Sequence, residues 1–306
     1  MDRNDTSAIA DGVRQLYAGW GKGVGIAEMR RQWEHFVAPK RVTIATEDVE
    51  ANGVRCRWVR ASGCDTRHAI LFLHGGGYQI GSVDSHHNLM AALSAASGCA
   101  VLGVDYRLAP EHRFPAAVDD VLAAWQWLAS QGFAPGQVAV CGDSAGGALG
   151  IALMTILRDK SLPLPACAVA MSPWADLEAH GDSFRSNAEH DPVTQREVLL
   201  VMARTYLGRS GDPRDPLASV VHANLSRLPP LLVQVGSNEV LLDDARQLAA
   251  RAQEQGCAVT LSEWDGMFHV FQLFTGRLRQ ADAAITEAGA FLRTHLHPRD
   301  TDRISR

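Results

Sequence analysis

Residues 6–37 carry apolar positions at helical spacing, with Ile9, Val13, Leu16 and Tyr17 on one face of a first amphipathic helix. A second helix follows the glycine-rich break Gly19-Trp20-Gly21-Lys22-Gly23. No strand precedes that break and its glycine spacing is wrong for a phosphate-binding loop, so it reads as a linker. From Val42 the period changes to two. Val42 and Ile44, then Val54, Cys56 and Trp58, alternate with polar residues on either side of Asn52-Gly53, the pattern of an antiparallel hairpin at a sheet edge. Six short runs that are apolar at nearly every position follow, at 69–73, 100–104, 138–141, 166–171, 230–235 and 258–261. Continuous runs of this kind belong to strands covered on both faces. Helical patterns near 86–97, 117–130, 146–159, 240–255 and 276–296 alternate with them. This order predicts an α/β fold, a mostly parallel central sheet with helices on both faces.

Residues 175–225 break the rhythm. They are polar, contain several Pro and Gly, and hold one helical stretch at 197–207. A loop of that length rarely lacks structure of its own, so the segment is predicted to be an inserted helical cap. Residues 1–40 are its expected second component, 41–174 and 226–296 form the α/β domain, and 297–306 are an expected disordered tail.

Composition narrows the class. The 306 residues include 27 Gly and 13 Pro, which excludes collagen-like and low-complexity chains. The formal charge of −5, with no block of like charges, supplies no electrostatic footprint for nucleic acid. No apolar run is long enough to span a membrane, and Met1-Asp2-Arg3-Asn4-Asp5 lacks the apolar core of a signal peptide. The six cysteines show no C-x-x-C spacing and read as free thiols of a reducing cytosol.

Two glycine-rich motifs carry the candidate chemistry. Gly142-Asp143-Ser144-Ala145-Gly146 follows one predicted strand and opens a helix, the context of a nucleophile elbow. A sharp turn there pushes the serine hydroxyl into a cleft, with the positive end of a helix behind it. His74-Gly75-Gly76-Gly77 ends an earlier strand, where glycines let successive amides point at one place. The amides of Gly76, Gly77 and Ala145 are the candidate donors for an oxyanion.

Together with Asp105-Tyr106-Arg107-Leu108-Ala109-Pro110-Glu111, these motifs resemble those of the hormone-sensitive-lipase-like (bacterial family IV) carboxylesterases, α/β-hydrolases with a helical cap. The resemblance covers about residues 40–296. It implies a Ser–acid–His triad in that chain order, with the arginine motif structural. His269, in Asp265-Gly266-Met267-Phe268-His269-Val270-Phe271 after the last predicted strand, fits the family's H-x-F pattern. The family's acid motif, G-x-x-D-P-L-x-D, is altered here to Gly236-Ser237-Asn238-Glu239-Val240-Leu241-Leu242-Asp243. Glu239 stands at the catalytic position and is favoured over Asp243 on its place in the loop. The same segment is similar to that of monoterpene ε-lactone hydrolases.

The expected reaction is hydrolysis of a short-chain acyl ester through an acyl-enzyme, with Ser144 as nucleophile, His269 as base and Glu239 as its carboxylate. Lactone hydrolysis on the same triad is the alternative. A non-catalytic receptor of the same fold, which lacks the histidine, and an acyltransferase are the rivals from other classes. No cofactor is expected. No metal is expected either, because H-E-x-x-H and similar spacings are missing. The expected partner is a small-molecule ester or lactone, with neither nucleic acid nor membrane, and the resemblance leaves room for a homodimer. Asp84 or Ser85 is expected to cap a helix, Asp119 and Asp120 to be surface charges, Asp143 to bond locally, and Asp243 and Asp244 to cap a helix or face water.

Overall fold

Where the sequence is apolar at every position, the chain forms the central strands of one sheet. The computed structural model describes residues 6–21 and 23–297. In chain order the elements are α1 (Thr6–Ala18), α2 (Ile26–Val37), β1 (Ala45–Ala51), β2 (Val54–Arg60), β3 (Asp65–Leu73), α3 (His87–Ser97), β4 (Cys99–Val104), α4 (Ala116–Ser130), β5 (Val138–Asp143), α5 (Ala145–Asp159), β6 (Ala168–Met171), α6 (Ser183–Ser186), α7 (Arg196–Leu207), β7 (Leu231–Gly236), α8 (Leu242–Glu254), β8 (Val259–Trp264) and α9 (Arg279–Leu296). The strand order is β1-β2-β4-β3-β5-β6-β7-β8. β2 runs antiparallel to β1 and β4, and every other neighbouring pair is parallel.

The pleat sorts the two faces. In β3, Ile70 and Phe72 join the core covered by α3 and α9, while Leu71 and Leu73 join the core under α4, α5 and α8. β4, β5, β6 and β7 are buried at every position because both of their faces are covered. Each fully buried Leu, Ile or Phe contributes about 1.5–3 kcal/mol. This double-sided core fixes the strand ends, and the loops after β3, β5, β7 and β8 all emerge at the carboxyl edge, where such sheets bind ligands.

Two segments outside the sheet pack over that edge. Ile9, Val13, Trp33 and Val37 of α1 and α2 join the α3–α9 core. Arg30 of α2 ties the pair down by donating to Gln79 O at 2.7 Å, to Ala109 O at 3.0 Å and to both Glu111 oxygens at 2.9 and 2.8 Å. Residues 175–225 carry α6, α7 and the 3-10 turn Val220–His222. No helix among the described residues is long and apolar enough to cross a membrane. The six cysteines are unpaired, five of them buried. Residues 298–306 of the expected tail lie outside the described residues, as do residues 1–5.

Several local expectations are corrected. The hairpin turns at Asn52-Gly53 as expected, but β1 begins at Ala45, after Val42 and Ile44, and it is exposed along most of its length. Its pairing with β2 alone, at the sheet edge, is what holds it extended. β8 is likewise half exposed, as the opposite edge strand. Neither Asp84 nor Ser85 caps α3, whose N-cap is His86 without a side-chain bond. Asp84 instead pairs with Arg57 at 2.5 Å and Arg41 at 2.9 Å. Asp119 is exposed, but Asp120 is buried and accepts the Arg107 backbone amide at 2.7 Å and its Nη2 at 2.7 Å. Asp244 is buried too, and one of its oxygens accepts the amides of Ala175 and Asp176 at 2.9 and 2.8 Å. Asp243 accepts the Ser183 amide at 2.9 Å. Asp120 and Asp244, which sequence places on helix exteriors, are turned inward to satisfy loop amides.

Replacing Asp120 by Ala leaves the Arg107 amide without its buried acceptor and removes the ion pair to a guanidinium that is about half exposed. The expected loss is about 1–3 kcal/mol, read as a lower midpoint in urea unfolding; an unchanged midpoint would show that the pair contributes nothing.

Candidate active site

Ser144 sits at the junction of β5 and α5 with φ 51° and ψ −119°, a strained backbone for a residue with a Cβ. The turn is tight because the glycines on either side allow contact that side chains would forbid. A Cβ on Gly142 would lie 2.4 Å from Gly146 O, and one on Gly146 would lie 2.0 Å from Leu73 O. The Ser144 amide donates to Met171 O at 2.8 Å and anchors the turn to the next strand.

The structure brings the three residues expected to react into one hydrogen-bonded line. Ser144 Oγ is 3.0 Å from His269 Nε2, and His269 Nδ1 is 3.0 Å from Glu239 Oε2. Glu239 is wholly buried, and its other oxygen accepts Ser172 Oγ–H and the Gly236 amide, both at 2.6 Å. Ser172 Oγ in turn accepts the Val270 amide at 3.2 Å, so one hydroxyl ties the acid loop to the histidine loop. Asp243, the other acid considered, makes its bonds to Ser183 and none to His269. Burial pulls the His269 pKa down, but the hydrogen bond and charge of Glu239, with the charges of Asp191 and Asp143, outweigh it and raise the net value above 6.5.

The glycine loop after β3 is held from both sides. The Gly75 amide donates to Asp143 Oδ1 at 3.0 Å, and His86 Nε2 lies 3.2 Å from that same oxygen. The expectation that Asp143 bonds locally is corrected: its partners Gly75 and His86 stand 68 and 57 positions away, near the two ends of the loop between β3 and α3. Tyr106 donates its hydroxyl to His74 O at 2.6 Å and stacks on the His74 ring with centroids 4.2 Å apart. Burial and the neighbouring His86 depress the His74 pKa to about 3, which keeps that ring neutral. Gly76 adopts φ 112°, open only to glycine at low cost. The amides of Gly76, Gly77 and Ala145 donate to no protein acceptor among the described residues.

Above these groups lies a largely apolar cavity of about 530 Å³. Trp20, Met29 and Trp33 line it on the side of α2, Val198 and Met202 line it from α7, and Leu273 borders it too. Two side-chain groups, Asp65–His68–His297 and Asp176–Glu178–His222, bring ligand atoms within 4.8 Å of one another and could hold a cation; neither borders this cavity. Sequence reasoning passed over Ser172 and His86, which hold the acid and the glycine loop. Neither has a motif around it. Ser172 acts through a left-handed turn (φ 48°) that no residue pattern announces.

A serine hydroxyl aligned with an imidazole and a buried carboxylate, facing free amides in a largely apolar cleft, is an arrangement suited to acyl transfer. Comparison with known proteins agrees. A family profile described as the alpha/beta hydrolase fold matches residues 70–273. An acetyl-hydrolase of Streptomyces hygroscopicus is 49% identical over 237 residues, 78% of this chain and 79% of that protein. An esterase of Acinetobacter venetianus is 34% identical over 253 residues, 83% of each. A solved esterase of the bacterial hormone-sensitive lipase family superposes with a TM-score of 0.92 at 42% identity, covering 95% of this chain and 97% of that one. The chain belongs to the hormone-sensitive lipase family of α/β-hydrolase-fold esterases and is a carboxylic ester hydrolase.

Proposed function

We propose that the protein hydrolyses short-chain acyl esters through an acyl-enzyme formed on Ser144. The observation that carries this reading is the line from Ser144 Oγ to His269 to Glu239, with both contacts at 3.0 Å. His269 takes the Ser144 proton as the hydroxyl attacks the ester carbonyl, and Glu239 stabilises the imidazolium. The carbonyl oxygen, now negative, turns toward the amides of Gly76, Gly77 and Ala145. His269 gives its proton to the departing alcohol, and a water molecule activated by the same imidazole releases the acid. Protein groups alone carry each proton in this sequence.

The acetyl-hydrolase name of the Streptomyces relative supports a short acyl group. So does Met202, whose Sδ would lie 2.4 Å from a Cβ on Gly77 and which therefore crowds the space beside the candidate oxyanion donors. A lactone is an internal ester, and the same groups would open one; no residue around the cavity favours it. The receptor reading is disfavoured by the imidazole standing against Ser144. Residues 1–40 and 175–225 are proposed as the cap, since both supply walls to the cavity.

Ser144→Ala is expected to lower kcat on p-nitrophenyl acetate by about 10⁶ with the fold retained by circular dichroism. Activity above a hundredth of wild type, once contaminants are excluded, would move the nucleophile elsewhere. A panel of p-nitrophenyl esters of increasing length beside simple lactones should show its highest kcat/KM at the short esters.

Glu239→Gln keeps the shape of the acid but removes its charge, and the expected loss in kcat is about 10⁴. Asp243→Asn, whose carboxylate serves Ser183, is expected to cost less than about tenfold. The reverse order in two folded variants would reassign the acid.

Deleting residues 1–37 removes the wall formed by Trp20, Met29 and Trp33. Activity should fall more than secondary structure, most for the longer acyl chains; an unchanged acyl-length profile in a soluble truncation would remove α1 and α2 from the cap.

A further inference from the structure

The segment between β6 and α7 crosses the loop that carries Glu239, and three of its side chains bind that loop. Ser183 Oγ donates to Val240 O at 2.6 Å. Asn187 Nδ2 donates to Ser237 O at 3.0 Å and to Glu239 O at 2.8 Å. Asp191 accepts the Val240 amide at 3.0 Å through one oxygen and the Val193 amide at 3.0 Å through the other. Ser183 and Asn187 are neutral. Asp191 brings a carboxylate into the interior, 2% exposed, without a lysine or arginine partner among the described residues. An isolated buried charge is costly, and an uncharged acceptor would serve a backbone amide at less expense.

What distinguishes the place is its neighbour. The charges that act on His269 come from Glu239, Asp191 and Asp143. Those that Asp191 faces are His269 and Glu239, and its own charge also bears on the Tyr17 phenol of α1. Resting on the triad reading above, we propose that Asp191 is a positioning residue for that triad: it holds the Glu239 loop through Val240 and adds a second negative charge to the field at His269. In the transition state His269 becomes a cation in a site shielded from water, where a nearby fixed charge acts strongly. Burial, and the charge of Glu239, push the Asp191 pKa up to about 6 against the pull of His269 and the two amides. The sign follows. A negative Asp191 raises the basicity of His269, so the acidic limb of kcat/KM stands at higher pH with it than without it.

The test compares three variants on a short p-nitrophenyl ester across pH 5 to 9. Asp191→Asn keeps one acceptor and removes the charge. Its kcat should fall roughly tenfold or more, with KM within about twofold, and its acidic limb should move down by several tenths of a pH unit. Asn187→Ala loosens the same loop without altering charge and should lower kcat while leaving the limb in place. Asp191→Glu, which keeps the charge, should hold the limb near wild type. A folded Asp191→Asn enzyme with an unmoved limb, or with kcat within twofold of wild type, overturns the proposal. Should Asp191→Asn not fold, Asp191→Ser takes its place, keeping a neutral acceptor: an NMR titration midpoint of His269 below that of wild type supports the added field, and an unmoved midpoint overturns it. The two readings fail differently. Activity retained in Ser144→Ala or Glu239→Gln sinks the triad itself, whereas an inert Asp191 beside inactive Ser144 and Glu239 variants sinks only this proposal.

Discussion

A carboxylate taken out of water must have its hydration replaced atom by atom, and Glu239 is wholly out of water. One of its oxygens is filled by Ser172 and the Gly236 amide and the other by His269. That requirement organises much of the surrounding chain. It demands the left-handed turn at Ser172, draws the loops after β6, β7 and β8 together, and orients the imidazole as a by-product of satisfying the acid. Glu239 carries one methylene more than the Asp of the family motif, and its carboxylate meets these three partners.

The nucleophile side is governed by sterics. Ser144 holds a backbone conformation that it would leave if the chain around it were loose, and the contacts of Gly142 and Gly146 with neighbouring backbone keep it there. Asp143 and His86 do comparable work for the glycine loop. Asp143 accepts the Gly75 amide and His86 holds Asp143 in place, while the next two amides donate to no protein acceptor among the described residues. The side chains of the two halves meet at the 3.0 Å contact between Ser144 and His269, and their backbones meet at the end of β6, where Met171 O accepts the Ser144 amide.

The legibility of this arrangement in sequence follows from how local each cause is. Continuous apolar runs report burial directly, so the central strands and their helices could be read from hydrophobicity alone. Ser144, the glycines and His269 stand in motifs whose spacing is imposed by tight turns. Asp244 and Ser172 escape because each is defined by a partner far along the chain, Ser172 by Glu239 67 positions away. Asp120 reads as a surface charge on helical position, yet the turn carrying Arg107 reaches over to cover it. β1 starts three residues later than the alternation of Val42 and Ile44 suggests, since an exposed edge strand is set by its pairing to β2 and not by apolar spacing. The similarity to ε-lactone hydrolases rested on one short loop, and the wider comparisons speak for esterases in general.

The division of labour between sheet and walls has an evolutionary consequence. The groups proposed to react hang from strand ends locked in a two-sided core, so few neighbours there can change without loss of folding. The cavity walls come from α1, α2 and α7, which lie outside the sheet, and Val198 and Val201 on α7 are already 42% and 53% exposed. Substitutions at such positions change which acyl and alcohol groups fit while costing the fold little. A lineage built on this plan can drift from one ester to another by surface mutation, with its chemistry carried along unaltered.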